Sequence, residues 1–215
     1  MIPLRDTIPS TRVPVVNYLI IAVNVVVFLY ELSLGGNIEG FVRTHGLVPR
    51  HFAFVDLLTS MFLHGGFLHL IGNMLYLYIF GDNVEDRLGH ARYLAFYLLC
   101  GMAAGAAQAL SNPTSNIAMI GASGAIAGVS GAYFLFFPTA RVVTLVPIFI
   151  FLQVIEVPAV FFLLLWFLLQ LWSGIADLGA HTGGVAFFAH VGGFIAGMIL
   201  GPVLRERRAP PPAWV

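Results

Sequence analysis

The sequence predicts an all-α protein, a polytopic membrane bundle of six transmembrane helices. Of its 215 residues, 59% are hydrophobic and only 9% are charged, whereas a soluble domain carries about 25% charged residues. The mean hydropathy is +0.92, and apolar stretches suited to crossing a bilayer recur along the chain. The formal net charge is zero, so the sequence gives no electrostatic basis for a nucleic-acid partner.

Six apolar stretches account for the predicted spans. The first follows Arg5 and Arg12 and is not closed by a small-residue cleavage site, so we interpret it as an uncleaved helix and not as a signal peptide. The spans cover residues 15–34, 67–81, 93–110, 122–137, 158–175 and 185–204. Together they define a membrane domain, 15–204, between an N-terminal segment, 1–14, and a tail, 205–215, whose proline-rich end is expected to be disordered.

The segments between the spans differ in character. Residues 35–66 are too apolar for a flexible linker and too interrupted by polar residues for a span. Residues 142–157 are apolar but contain Pro147, Gln153 and Glu156, which indicates an interfacial segment. Loops or turns are predicted over residues 82–92, 111–116 and 176–184.

The arginines predict the orientation, since the chain contains no lysine. With six spans, both termini lie on one side of the membrane. Eight arginines fall on that side, at positions 5, 12, 87, 92, 141, 205, 207 and 208, and only Arg43 and Arg50 fall opposite. The positive-inside rule then places both termini in the cytoplasm.

The fourth span is short and begins beside a serine. Its 16 residues, 122–137, rise about 1.5 Å each and give about 24 Å, less than a hydrocarbon core of about 30 Å. If its end reaches the cytoplasmic face, Ser123 lies below the outer surface. Non-helical backbone at that depth is tolerated only beside protein or a water-filled cavity. The spacing therefore predicts that Ser123 lies at the floor of a hydrated cavity.

Glycine spacing predicts which helix faces Ser123. In the sixth span, Gly193 and Gly197 share one helical face with His190. The fourth span offers a matching surface of small residues, at Gly124, Ala127, Gly128 and Gly131. We therefore expect the fourth and sixth spans to pack closely. The predicted topology then brings Ser123 and His190 together near the outer face.

A serine beside a histidine indicates nucleophilic catalysis, because an imidazole can accept the hydroxyl proton. The amide of Ser123, at a helix start, and the side chains of His69 and Asn73, four residues apart, could stabilise an oxyanion. No acidic residue lies between Asp86 and Glu156. The pattern therefore predicts a Ser–His dyad whose imidazole is oriented by packing.

These motifs resemble those of the rhomboid intramembrane serine proteases. The matching stretches are "HGGFLHLIGN" in the second span, "NVEDRLG" after it, "GASG" at the fourth span and "AHVGGFIAG" in the sixth. The resemblance implies a rhomboid-like fold with Ser123 as nucleophile and His190 as general base. It implies that His69, Asn73 and the Ser123 amide form the oxyanion hole, and that Gly121 lets backbone approach the substrate.

The resemblance also implies the partners and the setting. Rhomboids cleave single-span membrane proteins near the outer face without a metal or another cofactor, so transmembrane proteins and the lipid bilayer are the expected partners. The short loops suggest a bacterial inner membrane, and the sequence leaves the oligomeric state open. Two family features are missing. Ala127 replaces a tyrosine that stacks on the base in some members, and "VPRHFAF" lacks the tryptophan of a Trp-Arg pair.

Three alternatives remain open at the level of sequence. His64, His69, His181 and His190 could form a zinc site on the outer side, although the motif H-E-x-x-H is absent. A non-catalytic rhomboid-like protein could bind transmembrane clients. A channel or transporter is a third possibility, but it predicts internal repeats and paired broken helices, which the sequence lacks.

Overall fold

The computed structural model describes residues 2–148, 151–180 and 186–206. Within these ranges the chain forms eight α-helices, a three-stranded sheet and three short 3₁₀ turns. The helices are α1 (Val15–Ser33), α2 (Ile38–His45), α3 (Asp56–Thr59), α4 (Phe67–Leu88), α5 (His90–Ser111), α6 (Ser123–Phe136), α7 (Ala159–Ala180) and α8 (Phe187–Leu204). The strands are β1 (Ile2–Asp6), β2 (Arg141–Ile148) and β3 (Phe151–Pro158).

The helices identify an integral membrane protein. In the described residues, α1, α5 and α8 are long and apolar enough to cross a bilayer by themselves. The segments Asp56–Phe62 and Phe67–Leu88 meet at 98° and together form a fourth candidate. Two shorter apolar helices, Ser123–Phe136 and Ala159–Ser173, complete the set. The fold is mainly helical, and the count of six spans stays a prediction.

The sheet corrects the all-α prediction. β1, β2 and β3 pair antiparallel in that order, and Thr144 faces Ile155 across the β2–β3 pair. The described residues of the predicted interfacial segment, 142–148 and 151–157, belong to this pair. They are rich in valine and isoleucine, whose branched side chains favour the pleated surface of a strand. Apolar content alone does not distinguish such a strand from a helix.

The charged segment 82–92 is also not the predicted loop. α4 continues through it to Leu88, and α5 begins at His90 after a break at Gly89, whose φ is +79°. The Glu85 carboxylate accepts hydrogen bonds from the amides of Val16 at 3.0 Å and Asn17 at 2.7 Å. These amides belong to the first turn of α1, where donors lack helical acceptors. The charge of Glu85 therefore caps a neighbouring helix.

The loop predicted over 176–184 is wrong in its first part, because α7 extends to Ala180. The rest of that loop, with His181 up to residue 184, lies outside the described residues. So do Arg207, Arg208 and the remainder of the predicted tail. Residues 35–66 fold into α2, α3 and the three 3₁₀ turns, consistent with a segment that is neither linker nor span.

α6 is the centre of the bundle, and its residues from Gly124 to Tyr133 are all buried. It packs most extensively on α8, through glycine backbone. A Cβ atom placed on Gly193 would lie 2.0 Å from the carbonyl oxygen of Gly124, and one on Gly197 would lie 1.9 Å from that of Gly128. Only glycine permits this approach, as the glycine spacing predicted.

The sheet is attached to the helices through Asp6 at the end of β1. Tyr133 of α6 donates a hydrogen bond to the Asp6 carboxylate at 2.5 Å, and the Asn83 amide of α4 donates to the same oxygen at 3.0 Å. Burial raises the pKa of Asp6 from its usual 3.8 to about 6, and the nearby Asp82 carboxylate adds to the rise. The carboxyl group that attaches the N-terminal strand to the helices therefore keeps its proton to a higher pH than an exposed aspartate does.

The attachment of β1 is expected to weaken as the pH rises. The folded state binds the Asp6 proton more tightly than the unfolded chain, so its stabilising contribution is complete below pH 3.8 and is lost as the pH passes about 6. Hydrogen exchange of residues 2–6 should be slower at about pH 5 than at about pH 7.5, after correction for the intrinsic rate. The Asp6→Asn variant should lose most of this difference. Equal protection at both pH values in the unsubstituted protein would contradict the assignment.

Candidate functional site

Ser123 occupies the first position of α6, after a segment that two backbone contacts hold in place. Met119 pairs with Leu47 in an antiparallel bridge, and the Gly121 amide donates to the Ser60 carbonyl at 2.9 Å. These contacts fix the chain just before the helix begins. The amide of Ser123 is one of the first in the helix, so no carbonyl of its own helix can accept from it. Ser123 therefore presents a hydroxyl and an amide that has no acceptor within its own helix.

His190 lies in the first turn of α8, and its side chain reaches Ser123. The residue is only 8% exposed. Its Nε2 atom lies 2.8 Å from Ser123 Oγ, within hydrogen-bond distance. The glycine contacts between α6 and α8 bring the two backbones close enough for this pair to form. The structure thus places the two residues that sequence reasoning selected in direct contact.

Two side chains from α7 contact the other side of the imidazole. Gln170 Oε1 lies 2.7 Å from His190 Nδ1, and the Trp166 ring centroid lies 5.7 Å from that of His190. Trp166 thus supplies an aromatic contact that Ala127 cannot make. Sequence reasoning expected packing alone to orient the imidazole and missed Gln170. The available signals were an amide in a run of apolar residues and the four-residue spacing from Trp166 to Gln170.

His69 and Asn73 of α4 lie against Gly121, two residues before Ser123. The φ of Gly121 is +123°, and a Cβ there would lie 2.8 Å from His69 Nε2 and 3.7 Å from Asn73 Nδ2. A side chain would therefore be strained and would also collide with His69. The structure thus brings all five sequence-selected residues to one place.

Both α4 side chains can donate hydrogen bonds into this space. His69 Nδ1 accepts from the Gly65 amide at 3.3 Å, which leaves the proton on Nε2. Asn73 Nδ2 is buried and makes no hydrogen bond to any part of the chain that the structure describes. A buried donor without a partner is costly. The nearest measured reference point is Gly121, where a Cβ would lie 3.7 Å from this nitrogen.

A cavity of about 990 Å³ contains these groups. Ser123, His190, His69, Asn73 and Gly121 all contribute to its wall. Polar side chains continue the lining, namely Gln108, Asn112, Thr114, Ser115 and Asn116. Gln108 Oε1 also accepts from the Ala189 amide at 3.2 Å, one residue before His190. The site is therefore open to water and large enough for a peptide segment.

The histidines considered for a zinc site are only partly assembled. The His64 and His69 rings lie 5.1 Å apart, edge to face. In the ranges that the structure describes, no three His, Cys, Asp or Glu side chains form a group that could hold a metal ion. His181 lies outside those ranges. Within the described residues, the side chains around Ser123 are therefore arranged for hydrogen bonding and not for metal coordination.

Comparison with known proteins gives consistent matches. A family model described as "Rhomboid domain" matches residues 51–207. RHOMBOID-like protein 5 of Arabidopsis thaliana is 32% identical over 151 residues, which cover 70% of this chain and 44% of that protein. Rhomboid protein 1, mitochondrial, of Saccharomyces cerevisiae is 27% identical over 191 residues, or 86% and 51% of the two chains. Rhomboid protease GluP of Bacillus subtilis is 35% identical over 125 residues, or 55% and 24%.

The chain spans about half, or less, of the length of these curated relatives. The family match extends from before α3 to the end of α8. It includes the helices that carry Ser123, His190, His69, Asn73 and Gln170, and it covers well over half of the chain. The chain therefore belongs to the rhomboid family.

Proposed function

We propose that the chain is an intramembrane serine endopeptidase that cleaves single-span membrane proteins near the outer membrane face. The observation that carries this proposal is the 2.8 Å distance between Ser123 Oγ and His190 Nε2. A serine hydroxyl is a weak nucleophile until a base accepts its proton, and the two atoms lie at the separation that this transfer requires. The match to a relative named Rhomboid protease GluP supports the same class of reaction.

The reaction follows from this geometry. Ser123 Oγ attacks the scissile carbonyl carbon while His190 Nε2 takes the hydroxyl proton. The carbonyl oxygen becomes an oxyanion, for which His69 Nε2–H, Asn73 Nδ2 and the Ser123 amide are available donors. The imidazolium then gives its proton to the leaving amine, and an acyl-enzyme remains. Water from the polar cavity, activated by the same imidazole, hydrolyses this ester and restores Ser123.

The setting proposed for this reaction is a bacterial inner membrane, with both termini in the cytoplasm. The distribution of the arginines supports the orientation. The short length of α6, from Ser123 to Phe136, supports a site below the outer surface. The transmembrane substrate and the lipid bilayer are the partners that the proposal requires. It requires no cofactor, because side chains and backbone supply every proton transfer and every oxyanion contact.

A serine-directed fluorophosphonate probe tests the proposal directly. We expect the purified protein in detergent or nanodiscs to be labelled at Ser123, because the adjacent base activates this hydroxyl. Labelling should fall to background in His190→Ala. A non-catalytic relative that only binds transmembrane clients would show equal, background labelling in both proteins. Loss of substrate cleavage after chelation would instead favour a metal site.

The Asn73→Ala variant is expected to slow cleavage without unfolding the protein. Loss of one oxyanion donor costs on the order of 10²-fold in kcat, and His69 and the Ser123 amide should reduce this loss. The Nδ2 donor has no partner in the described ranges, so its removal breaks no hydrogen bond there. Turnover of a single-span substrate and the melting temperature should be measured together. An unchanged kcat would remove Asn73 from the proposed oxyanion hole.

A further inference from the structure

We propose that Gln170 of α7 is a positioning residue that keeps His190 in its base-competent tautomer and makes that state depend on the docking of α7 against α8. This inference rests on the proposed protease function. It adds a third polar side chain to the predicted Ser–His dyad. The observation behind it is the pair of distances on one imidazole, 2.7 Å from Nδ1 to Gln170 Oε1 and 2.8 Å from Nε2 to Ser123 Oγ.

The contact with Gln170 determines which nitrogen of the imidazole carries the proton. A neutral histidine carries one N–H donor and one nitrogen acceptor. The Gln170 carbonyl oxygen can only accept, so the proton of the neutral ring lies on Nδ1. Nε2 then has a free lone pair directed at Ser123, as a general base requires. With the proton on Nε2 instead, the imidazole could not take the serine proton, and Nδ1 would face an oxygen without a hydrogen bond.

An amide suits this position inside the membrane domain better than a carboxylate does. An aspartate at this position would also accept from Nδ1–H, but an ionised carboxylate inside a membrane protein is costly. An amide provides the same acceptor without a net charge. Its carbonyl dipole also stabilises the imidazolium that forms when His190 takes the serine proton. Gln170 therefore performs, with a neutral group, the orienting part of the role that an acid performs in a triad.

α7 carries two side chains that contact the imidazole. Trp166 and Gln170 are four residues apart, so they share one face of the helix. Both contact His190. The other side of α7 is exposed and apolar, with Leu165, Leu169 and Trp172 at 45%, 54% and 73% exposure. α7 packs mainly on α8. Any displacement of α7 from α8 would therefore withdraw both ring contacts at once.

The test compares two substitutions at Gln170 in the full chain in proteoliposomes, with a single-span substrate. Gln170→Leu keeps a side chain of similar size but removes the acceptor, and we expect kcat to fall by about 10- to 100-fold with little change in KM. Gln170→Glu keeps an acceptor and should recover most of that loss. Leu169→Ala, on the lipid-facing side of the same helix, is the control and should match the unsubstituted protein.

The tautomer itself can be observed by ¹⁵N NMR of histidine-labelled protein, with the His190 signal assigned by its disappearance in His190→Ala. We expect the unsubstituted protein to be protonated at Nδ1 and Gln170→Leu to show increased Nε2 protonation. An unchanged His190 tautomer in Gln170→Leu, an effect on KM alone, or equal losses in Gln170→Leu and Gln170→Glu would overturn the proposal.

The proposed function fails independently of Gln170. If Ser123→Ala cleaves the substrate as well as the unsubstituted protein, the protease mechanism is wrong. If Ser123→Ala is inactive and Gln170→Leu is fully active, the mechanism stands and the positioning role is wrong. The two failures therefore give different results in the same assay.

Discussion

Ser123→Ala is expected to abolish cleavage of a single-span substrate, with a loss on the order of 10⁴-fold or more. The substitution removes the attacking oxygen and leaves the amide of Ser123 and the start of α6 in place. His190→Ala should cause a similar loss, because without the base the hydroxyl stays protonated. The measurement is substrate turnover by the purified protein in a reconstituted membrane.

The double variant Ser123→Ala/His190→Ala tests whether the two residues act as one unit. Residues that act as a unit have strongly non-additive effects, so the double variant should be no slower than either single variant. Ser130→Ala is a matched control. It makes the same chemical change at a buried position of α6, about two helical turns further along, and should retain cleavage. Full activity of Ser123→Ala would mean that the hydroxyl beside His190 is not the nucleophile.

Gly197→Ala is expected to disrupt the contact between α6 and α8 and to inactivate the protein. The new Cβ would lie 1.9 Å from the Gly128 carbonyl oxygen and 2.6 Å from its Cα. These are backbone atoms that no side-chain rotation can move, so the two helices must separate. Overpacking of this kind costs about 1–3 kcal/mol. A shift of about 1 Å between reacting groups can reduce the rate by about 10²-fold.

A control for Gly197→Ala uses the same substitution where space is available. A Cβ on Gly40 of α2 would have no atom within 4 Å, and alanine favours helix over glycine by about 1 kcal/mol. Gly40→Ala should therefore be neutral or slightly stabilising, whereas Gly197→Ala should lower the melting temperature and turnover. If both variants behave alike, close backbone packing is not what holds Ser123 and His190 together.

The contact between Ser123 and His190 could be predicted from sequence because glycine spacing is a local signal. Gly193 and Gly197 share a face with His190, and Gly124 and Gly128 follow Ser123 at matching intervals. Small residues at such spacing indicate close helix packing in a membrane. The contact between the two helix surfaces could therefore be predicted without knowing how the intervening loops fold.

The partner of His190 Nδ1 could not be predicted in the same way. Gln170 lies 20 residues before His190, and only the rotation of α7 about its axis decides whether its amide faces the site or the lipid. That rotation follows from packing between helices, and the four-residue spacing from Trp166 to Gln170 does not show which way their shared face points. Trp166 was missed for the same reason, since aromatic residues are common on both faces of this apolar helix.

The sheet and the extended α4 were missed for two other reasons. The hydropathy of the valine-rich residues 142–157 predicts an interfacial segment. Hydropathy alone does not distinguish such a segment from a strand. The charges of the segment that holds Glu85 and Asp86 predict a loop. Glu85 contacts the nearby His90, but both carboxylates also accept hydrogen bonds from groups far away in sequence, on Thr11, Val16 and Asn17. Hydrogen bonds between residues so far apart in sequence can be identified only from the three-dimensional structure.

The N-terminal strand has a practical consequence for handling the protein. β1 covers one edge of β2, where Ile2 faces Leu145 and Asp6 faces Val142. Deleting these first residues for expression would expose the backbone groups of β2 to another molecule, and uncovered strand edges promote self-association. A fusion partner joined directly to residue 2 could interfere with the pairing of β1 and β2. Tags are therefore better separated from β1 by a spacer.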